Sequence, residues 1–162
     1  DLYIEWPDLN VSDEAARITG FSRKQYDKKC KPPKEVWSKF SKALLDPASL
    51  IIVQNLLGFD VYMLNIWRKL IGLPSDYSYI PRVIDTKSLA AAIAKQIPVD
   101  NDDFTGWQYR LLNYKERGLK TSQASLLKKY CIDHDPKRSH DALYDIEMTF
   151  KVFRKQLFEL EI

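Results

Sequence analysis

The stretch LIIVQNLLGFD, residues 50–60, decides the fold class. Its first four residues, Leu50 to Val53, form a short continuous apolar run, which is typical of a strand buried on both faces of a parallel sheet. Asp60 opens the next helical pattern. A carboxylate there lies at the carboxyl edge of the sheet beside a positive helix N-terminus, so we expect it to be ionised and to face a crevice. The alternative is that Asp60 serves only as a helix N-cap.

Strand and helix patterns alternate on both sides of this stretch. Residues 1–6 alternate polar and apolar side chains and predict an edge strand, while Val83 and Ile84 predict a second short strand. Apolar residues at helical spacing predict helices, the last of them the clearest, over 33–46, 60–72, 86–97, 122–130 and 139–160. The prediction is one α/β domain with a single main sheet over residues 1–162.

Two more segments place polar groups at element ends. His140 lies at the start of the last helix, and helical geometry places Asp145 at the border between its apolar stripe and solvent. This pair suits a general base and a metal ligand, and the alternative is a helix cap and a surface charge. At Asp85 and Thr86 a strand passes into a helix, and we expect one of them to cap that helix.

Composition narrows the function classes. The 162 residues carry a net charge of +3, and residues 23–45 alone hold eight basic and two acidic side chains. This uneven distribution of charge suits an enzyme whose basic surface attracts a polyanion toward a cluster of carboxylates. The alternative is that the basic residues only lie on solvated helix faces.

No apolar run approaches the roughly 20 residues of a membrane helix. The two cysteines, Cys30 and Cys131, predict an intracellular, reducing compartment, and their spacing from His134 and His140 argues against a zinc site.

Four motifs in order resemble the DnaQ-like 3′–5′ exonucleases, a superfamily with the ribonuclease H fold. The resemblance extends over nearly the whole chain and rests on residues 3–20, 55–60, 84–89 and 126–145. The resemblance implies a mixed central sheet flanked by helices. His140 stands five residues before Asp145, which resembles the DEDDh subclass of this superfamily.

The resemblance also implies the chemistry of the site. Asp60 and Asp145 would bind two Mg²⁺ or Mn²⁺ ions, and His140 would act as the general base of phosphodiester hydrolysis. Asn55 and Phe59 would contact the substrate, the 3′ end of a nucleic acid strand. A polymerase or another protein of a larger assembly is a candidate partner, and no membrane is expected.

Residues 98–121 look like an insertion, since the family usually connects these helices more briefly. Four aromatic residues there interleave with basic ones, so Trp107, Arg110 and Lys115 are candidates for stacking on bases and pairing with phosphates. The alternative is a small packed insertion with a solvated basic face.

The chain departs from the family in one important respect. The Asp-x-Glu of the first strand, which supplies two of the four acidic residues, has no counterpart in this sequence. We therefore expect the first strands to lie upstream in a larger exonuclease. The alternative is a non-catalytic module of the same fold that binds nucleic acid or protein. A milder departure is Gln54, where many family members have His.

Overall fold

Helices and short strands alternate along the chain, as the apolar patterns predict. The computed structural model describes residues 2–114, 116–138 and 141–160. The α-helices and strands, in chain order, are β1 (Tyr3–Ile4), α1 (Asp13–Thr19), α2 (Arg23–Lys29), β2 (Cys30–Lys31), α3 (Pro33–Leu44), β3 (Ile51–Val53), α4 (Val61–Leu70), β4 (Val83–Asp85), α5 (Thr86–Lys95), α6 (Phe104–Leu112), α7 (Gln123–Lys129) and α8 (Ala142–Leu160). A π-helical turn, Leu56–Asp60, precedes α4, and 3₁₀ turns lie at Ile80–Arg82 and Pro136–Arg138.

The strands form two separate parallel pairs rather than one mixed sheet. In the described residues β1 pairs with β2, and β3 pairs with β4 in the register Ile51 to Val83 and Val53 to Asp85. Each pair is joined by a helical crossover, and a crossover returns the chain in the same direction. The α/β class is confirmed, while the mixed sheet expected from the resemblance is not present in this part of the chain.

The two edges of the β3–β4 pair differ. The Gln108 side chain of α6 covers the β4 edge: its Nε2 donates to Val83 O (2.9 Å) and its Oε1 accepts from Asp85 N (2.7 Å). An amide side chain thus replaces a neighbouring strand. Strand β3 has no second partner strand among the described residues, and its three residues are half-buried. The expectation of a strand buried on both faces was therefore wrong for β3.

Three groups of buried side chains form the core. The first joins α3 and α4 to the strands and contains the edge-to-face pair Trp37 and Trp67, with ring centroids 5.0 Å apart. The second packs α5, α6 and α8 around Leu89 and Trp107. The third joins α7 to α8 around Met148. Helix α8 contributes to the last two groups and so connects both ends of the domain.

The apolar stripe predicted for α8 is only partly buried. Met148, Val152 and Phe153 are buried, but Ile146 and Phe150 are 65% and 51% exposed. Helix α8 packs on α5, α7 and β3, and Ile146 and Phe150 have no covering element among the described residues. Only Phe153 is buried among the residues of the predicted stripe, so the prediction of the covered face was wrong for most of them: Ala142, Ile146, Phe150, Phe153, Leu157 and Leu160.

Two buried tyrosines offer a matched test of hydrogen bonding. Tyr79 is 1% exposed, and its hydroxyl has no hydrogen-bond partner in the described structure; burial raises its pKa to about 12. Tyr26 is 8% exposed, but its hydroxyl accepts a hydrogen bond from Trp6 N (2.7 Å). We expect Tyr79→Phe to leave the free energy of unfolding unchanged or raise it by up to about 1 kcal/mol, and Tyr26→Phe to lower it by about 1 kcal/mol. Urea denaturation of both variants measures the difference, and equal losses would contradict this account.

Candidate functional site

A buried carboxylate connects the ends of β3 and β4. Asp85 is fully buried, and its Oδ1 accepts from Asn55 N (2.7 Å) and Lys87 N (3.1 Å) while its Oδ2 accepts from Leu57 N (3.3 Å). The expected N-cap of α5 is confirmed, and the same side chain also fixes the chain that leaves β3. Burial raises the pKa of Asp85, and the three N–H donors and Lys87 offset part of that effect.

Asn55 turns the chain out of β3 in a left-handed conformation. Its φ is 66°, a region that asparagine tolerates better than most residues. Its Oδ1 accepts a hydrogen bond from Lys87 Nζ (2.9 Å) and lies over Gly58, where an added Cβ would come within 2.6 Å of that oxygen. Position 58 of the segment NLLG therefore requires glycine, because only glycine leaves room for the Asn55 side chain.

The first two residues of the π-helical turn are buried, and the last three are exposed. Leu56 and Leu57 are buried, whereas Phe59 and Asp60 are exposed. The Asp60 side chain makes no capping hydrogen bond to α4, so the interpretation as a simple N-cap was wrong. Although the residue keeps exposed surface, partial desolvation of its carboxyl raises its pKa, so Asp60 is less acidic than the sequence led us to expect.

Asp60 and Asp145 line the same cleft. The cleft has a volume of about 830 Å³, and its wall includes both carboxylates together with Gln54 and Gln123. The rest of the wall is largely apolar and comes from α3, β3, α4 and α8, with Phe40, Leu44, Leu50, Leu64, Ile146 and Thr149 among its residues. Two acidic residues 85 positions apart in the sequence thus face one space beside the open edge of β3.

Helix α7 holds the Asp145 end of the cleft in place. Gln123 Nε2 donates to the Asp145 carbonyl oxygen (2.8 Å) and to Thr149 Oγ1 (2.8 Å). Asp145 is half-buried, as its predicted place at the border of the stripe requires. The predicted general base, His140, lies outside the described residues.

The described residues do not form a complete metal centre. Within residues 2–114, 116–138 and 141–160, no three His, Cys, Asp or Glu side chains are grouped closely enough to hold an ion. Asp60 and Asp145 have the hard oxygen donors that Mg²⁺ and Mn²⁺ prefer, but they are too few for two ions. Further ligands would have to come from elsewhere.

The other predicted substrate residues differ in their surroundings. Phe59 is 59% exposed beside Asp60, which suits contact with a ligand. Arg110 is exposed and makes ion pairs with Asp100 (2.9 Å) and Asp103 (3.0 Å). Lys115 lies outside the described residues.

Trp107 is a core residue and not a stacking platform. It is 3% exposed, its Nε1 donates to Pro98 O (2.9 Å), and its ring stacks on Phe104 with centroids 5.5 Å apart. The proposed stacking of Trp107 on bases is inconsistent with this burial. Residues 98–121, which the sequence indicates as an insertion, contain α6, whose N-cap is Asp103 and which covers the sheet edge.

Comparison with known families identifies the fold. The RNase T family model, described as exonuclease, matches residues 2–153. The chain belongs to this exonuclease family. It is therefore a DnaQ-like domain of the ribonuclease H-like fold, and the family supports a nuclease function in general. Searches of curated proteins and of solved structures found no match. None of the helices in the described part of this exonuclease domain is long and apolar enough to cross a membrane.

Sequence reasoning missed three residues that shape the candidate site. Lys87 contacts Asn55, Gln108 covers β4, and Gln123 fixes the Asp145 end of the cleft. Each acts through a side chain that crosses between distant parts of the chain, so no local pattern marks it. Asn55 was the signal in the sequence that could have indicated these contacts, because its N–H donates to Asp85 and its side chain accepts from Lys87.

Replacing Asp85 tests whether this carboxylate holds the site together. We expect Asp85→Ala to lower the free energy of unfolding by about 3 kcal/mol or more, because three backbone N–H groups, one buried and two half-buried, lose their acceptor. Asp85→Asn should cost about 1–3 kcal/mol, since an amide cannot accept on both sides. Asp46→Ala is the matched control: this half-buried residue also accepts from a backbone N–H (Ala48) and a side chain (Ser49), and its loss should cost about 1 kcal/mol. Equal costs in urea denaturation would argue against the role of Asp85.

Replacing Trp107 tests its place in the core. Trp107→Ala should lower the free energy of unfolding by about 3–5 kcal/mol, as for other large buried aromatic side chains. Phe59→Ala should change it by no more than about 0.5 kcal/mol because that ring is exposed. Thermal and urea denaturation compare the two, and a stable Trp107→Ala variant would show that the ring is not part of the core.

Proposed function

We propose that this exonuclease-family chain hydrolyses phosphodiester bonds from the 3′ end of DNA or RNA by a DEDDh-type, two-metal mechanism. The observation that carries the proposal is that Asp60 and Asp145 line one cleft, whose wall includes β3 and Gln54 at the carboxyl end of that strand. Ligands in open α/β folds bind at the carboxyl ends of strands. The family match to residues 2–153 supports the nuclease part of the proposal, and the cleft supports the assignment of the residues.

The residues of this chain divide the proposed reaction between them. Asp60 and Asp145 would each hold a divalent ion, which supplies Lewis-acid stabilisation of the attacking and leaving oxygens. His140 accepts the proton of the attacking water as its oxygen bonds to phosphorus. The bond from phosphorus to the 3′ oxygen of the preceding nucleotide breaks, that oxygen takes up a proton, and a nucleoside monophosphate leaves. Phe59 lies beside Asp60 with an exposed ring that can contact the terminal base.

The remaining metal ligands are proposed to come from a strand that pairs with β3. The edge of β3 away from β4 has no partner strand in the described residues, and it lies along the largely apolar wall of the cleft. A strand seated there would cover exposed side chains such as Leu50 and Ile146, which are 67% and 65% exposed. Its carboxylates would stand beside Asp60 and Asp145. Such a strand, upstream in a larger exonuclease, would complete both the core and the site.

A binding module without catalysis is the second candidate. The observation that favours it is that the described residues contain no group of three metal-ligating side chains. In that case the domain would bind nucleic acid or protein without catalysing a reaction. The first candidate takes the 3′ end of a nucleic acid strand as its ligand, and the second binds nucleic acid or protein. A polymerase or another protein of a larger assembly is the candidate partner. The free thiols of Cys30 and Cys131 support an intracellular setting for either.

Substitution of the cleft residues tests the reaction. With the full-length protein and a 3′-labelled strand, we expect release of mononucleotides that requires Mg²⁺ or Mn²⁺ and stops with EDTA. Asp60→Asn and Asp145→Asn should remove detectable release, because each deletes a proposed ligand, and His140→Ala should reduce it by about 10²-fold or more. Asp102→Asn, at an exposed position outside the cleft, is the control and should keep wild-type activity.

Two outcomes would contradict this assignment. Release that persists in both Asp60→Asn and Asp145→Asn would show that these carboxylates are not ligands. Strand binding by the wild-type protein without release under any divalent ion would favour the binding module.

A further inference from the structure

A second pocket shares a wall residue with the cleft. Gln54 lines both spaces, and the second pocket has a volume of about 540 Å³. Among the described residues its polar lining has two lysines, three hydroxyl groups and two amides but no carboxylate: Lys87, Lys120, Thr121, Ser122, Ser125, Gln54 and Asn55. A wall of ammonium, hydroxyl and amide groups is suited to an anion.

Hydrogen bonds hold this pocket at a fixed position relative to the carboxylates. Gln54 Nε2 donates to Thr121 O (2.9 Å), and Gln54 Oε1 accepts from Thr86 Oγ1. Two residues further along, Gln123 donates to the Asp145 carbonyl oxygen. Hydrogen bonds therefore connect the segment 121–123 to the end of β3 on one side and to α8 on the other. A ligand that spans both spaces would meet a preformed geometry.

The charges around the pocket leave it positive. Lys87 Nζ donates to the neutral Asn55 Oδ1 and, as an ammonium, has two further hydrogens to donate. The nearby Asp85 carboxylate is buried behind Asn55, with its oxygens already accepting three backbone N–H groups. Lys120 is exposed at the pocket wall. Ser122 and Ser125 share a hydrogen bond (2.8 Å), and either hydroxyl can turn to donate to a ligand.

We propose that this pocket binds a backbone phosphate of the substrate strand, internal to the bond that is cut, through Lys87 and Lys120. The inference rests on the proposed function, because a strand with its 3′ end in the cleft must continue past one of its walls. At the wall that cleft and pocket share, Gln54, the pocket offers two lysines. Lys87 and Lys120 are thereby binding residues for the strand and not members of the catalytic set.

Strand binding in EDTA tests this without any reaction. Each phosphate contact made by a cation adds about 0.7 to the slope of log affinity against log salt for a single strand. We expect Lys87→Met and Lys120→Met each to weaken binding at low salt, and the double variant to reduce the slope by about 0.7 to 1.4. Lys128→Met is the matched control, since this exposed lysine lies on α7 outside the pocket and should keep the wild-type slope. Lys87→Arg keeps the charge and should retain most of the affinity.

A set of strands with one uncharged linkage each locates the phosphate. Replacing single phosphates near the 3′ end by methylphosphonate should weaken wild-type binding at one particular internal linkage. The same replacement should cost the double variant nothing further at that linkage, because the contact is already lost. Unfolding temperatures of all variants confirm that each protein is folded under the binding conditions.

The outcomes separate this inference from the proposed function. If the wild-type protein binds strands but the double variant keeps both its slope and its sensitivity to methylphosphonate, the pocket does not hold a phosphate. If the wild-type protein binds no strand at all, the proposed function fails and this inference fails with it. Weakening by Lys128→Met equal to that of the pocket variants would show a diffuse charge effect and would also overturn the proposal.

Discussion

The hydrogen bonds of the Asp85 carboxylate are the constraint on which the rest of the site depends. One buried side chain receives N–H groups from the segment after β3 and from the start of α5. Without that acceptor, the left-handed turn at Asn55 and the π-helical turn after it would lose their anchor, and Asp60 would lose its fixed direction. A carboxylate suits this position because both of its oxygens accept, whereas an amide accepts on one side only. The cost of burying its charge is offset by three donors and by Lys87 nearby.

Side-chain amides form hydrogen bonds with backbone groups at several places in this domain. Gln108 satisfies the outer edge of β4, and Gln156 Nε2, fully buried, donates to Thr86 O at the start of α5. Gln54 and Gln123 fasten the segment before α7 to β3 and α8. An amide can donate and accept at once, so it can replace one peptide unit of a neighbouring strand. In β4 this lets the Gln108 side chain pair with an edge that no strand covers.

The sequence was sufficient for features that rest on local chemistry. Spacing and side-chain type predicted a strand at β3, the capping of α5 by Asp85 and the half-buried position of Asp145. The order of the motifs led to the exonuclease family. It was insufficient where two distant segments decide the outcome. Trp107 lies among aromatic and basic residues that resemble a binding surface, yet its ring packs on Phe104 in the core. Ile146 belongs to an apolar stripe, yet the face it occupies is left uncovered.

The difference between the two edges of the β3–β4 pair limits how the domain can be extended. Edge strands present unpaired N–H and C=O groups, and proteins cover them or pair them. The β4 edge is covered by Gln108, so a further strand has no hydrogen-bonding groups to meet there. The β3 edge is open in the described residues and borders the cleft that holds Asp60 and Asp145. A strand that extends this sheet at β3, as proposed above, would lie beside the cleft that Asp60 and Asp145 line. It would then extend the sheet and add side chains to the candidate site together, because the apolar wall that would seat the strand is also the wall of the cleft.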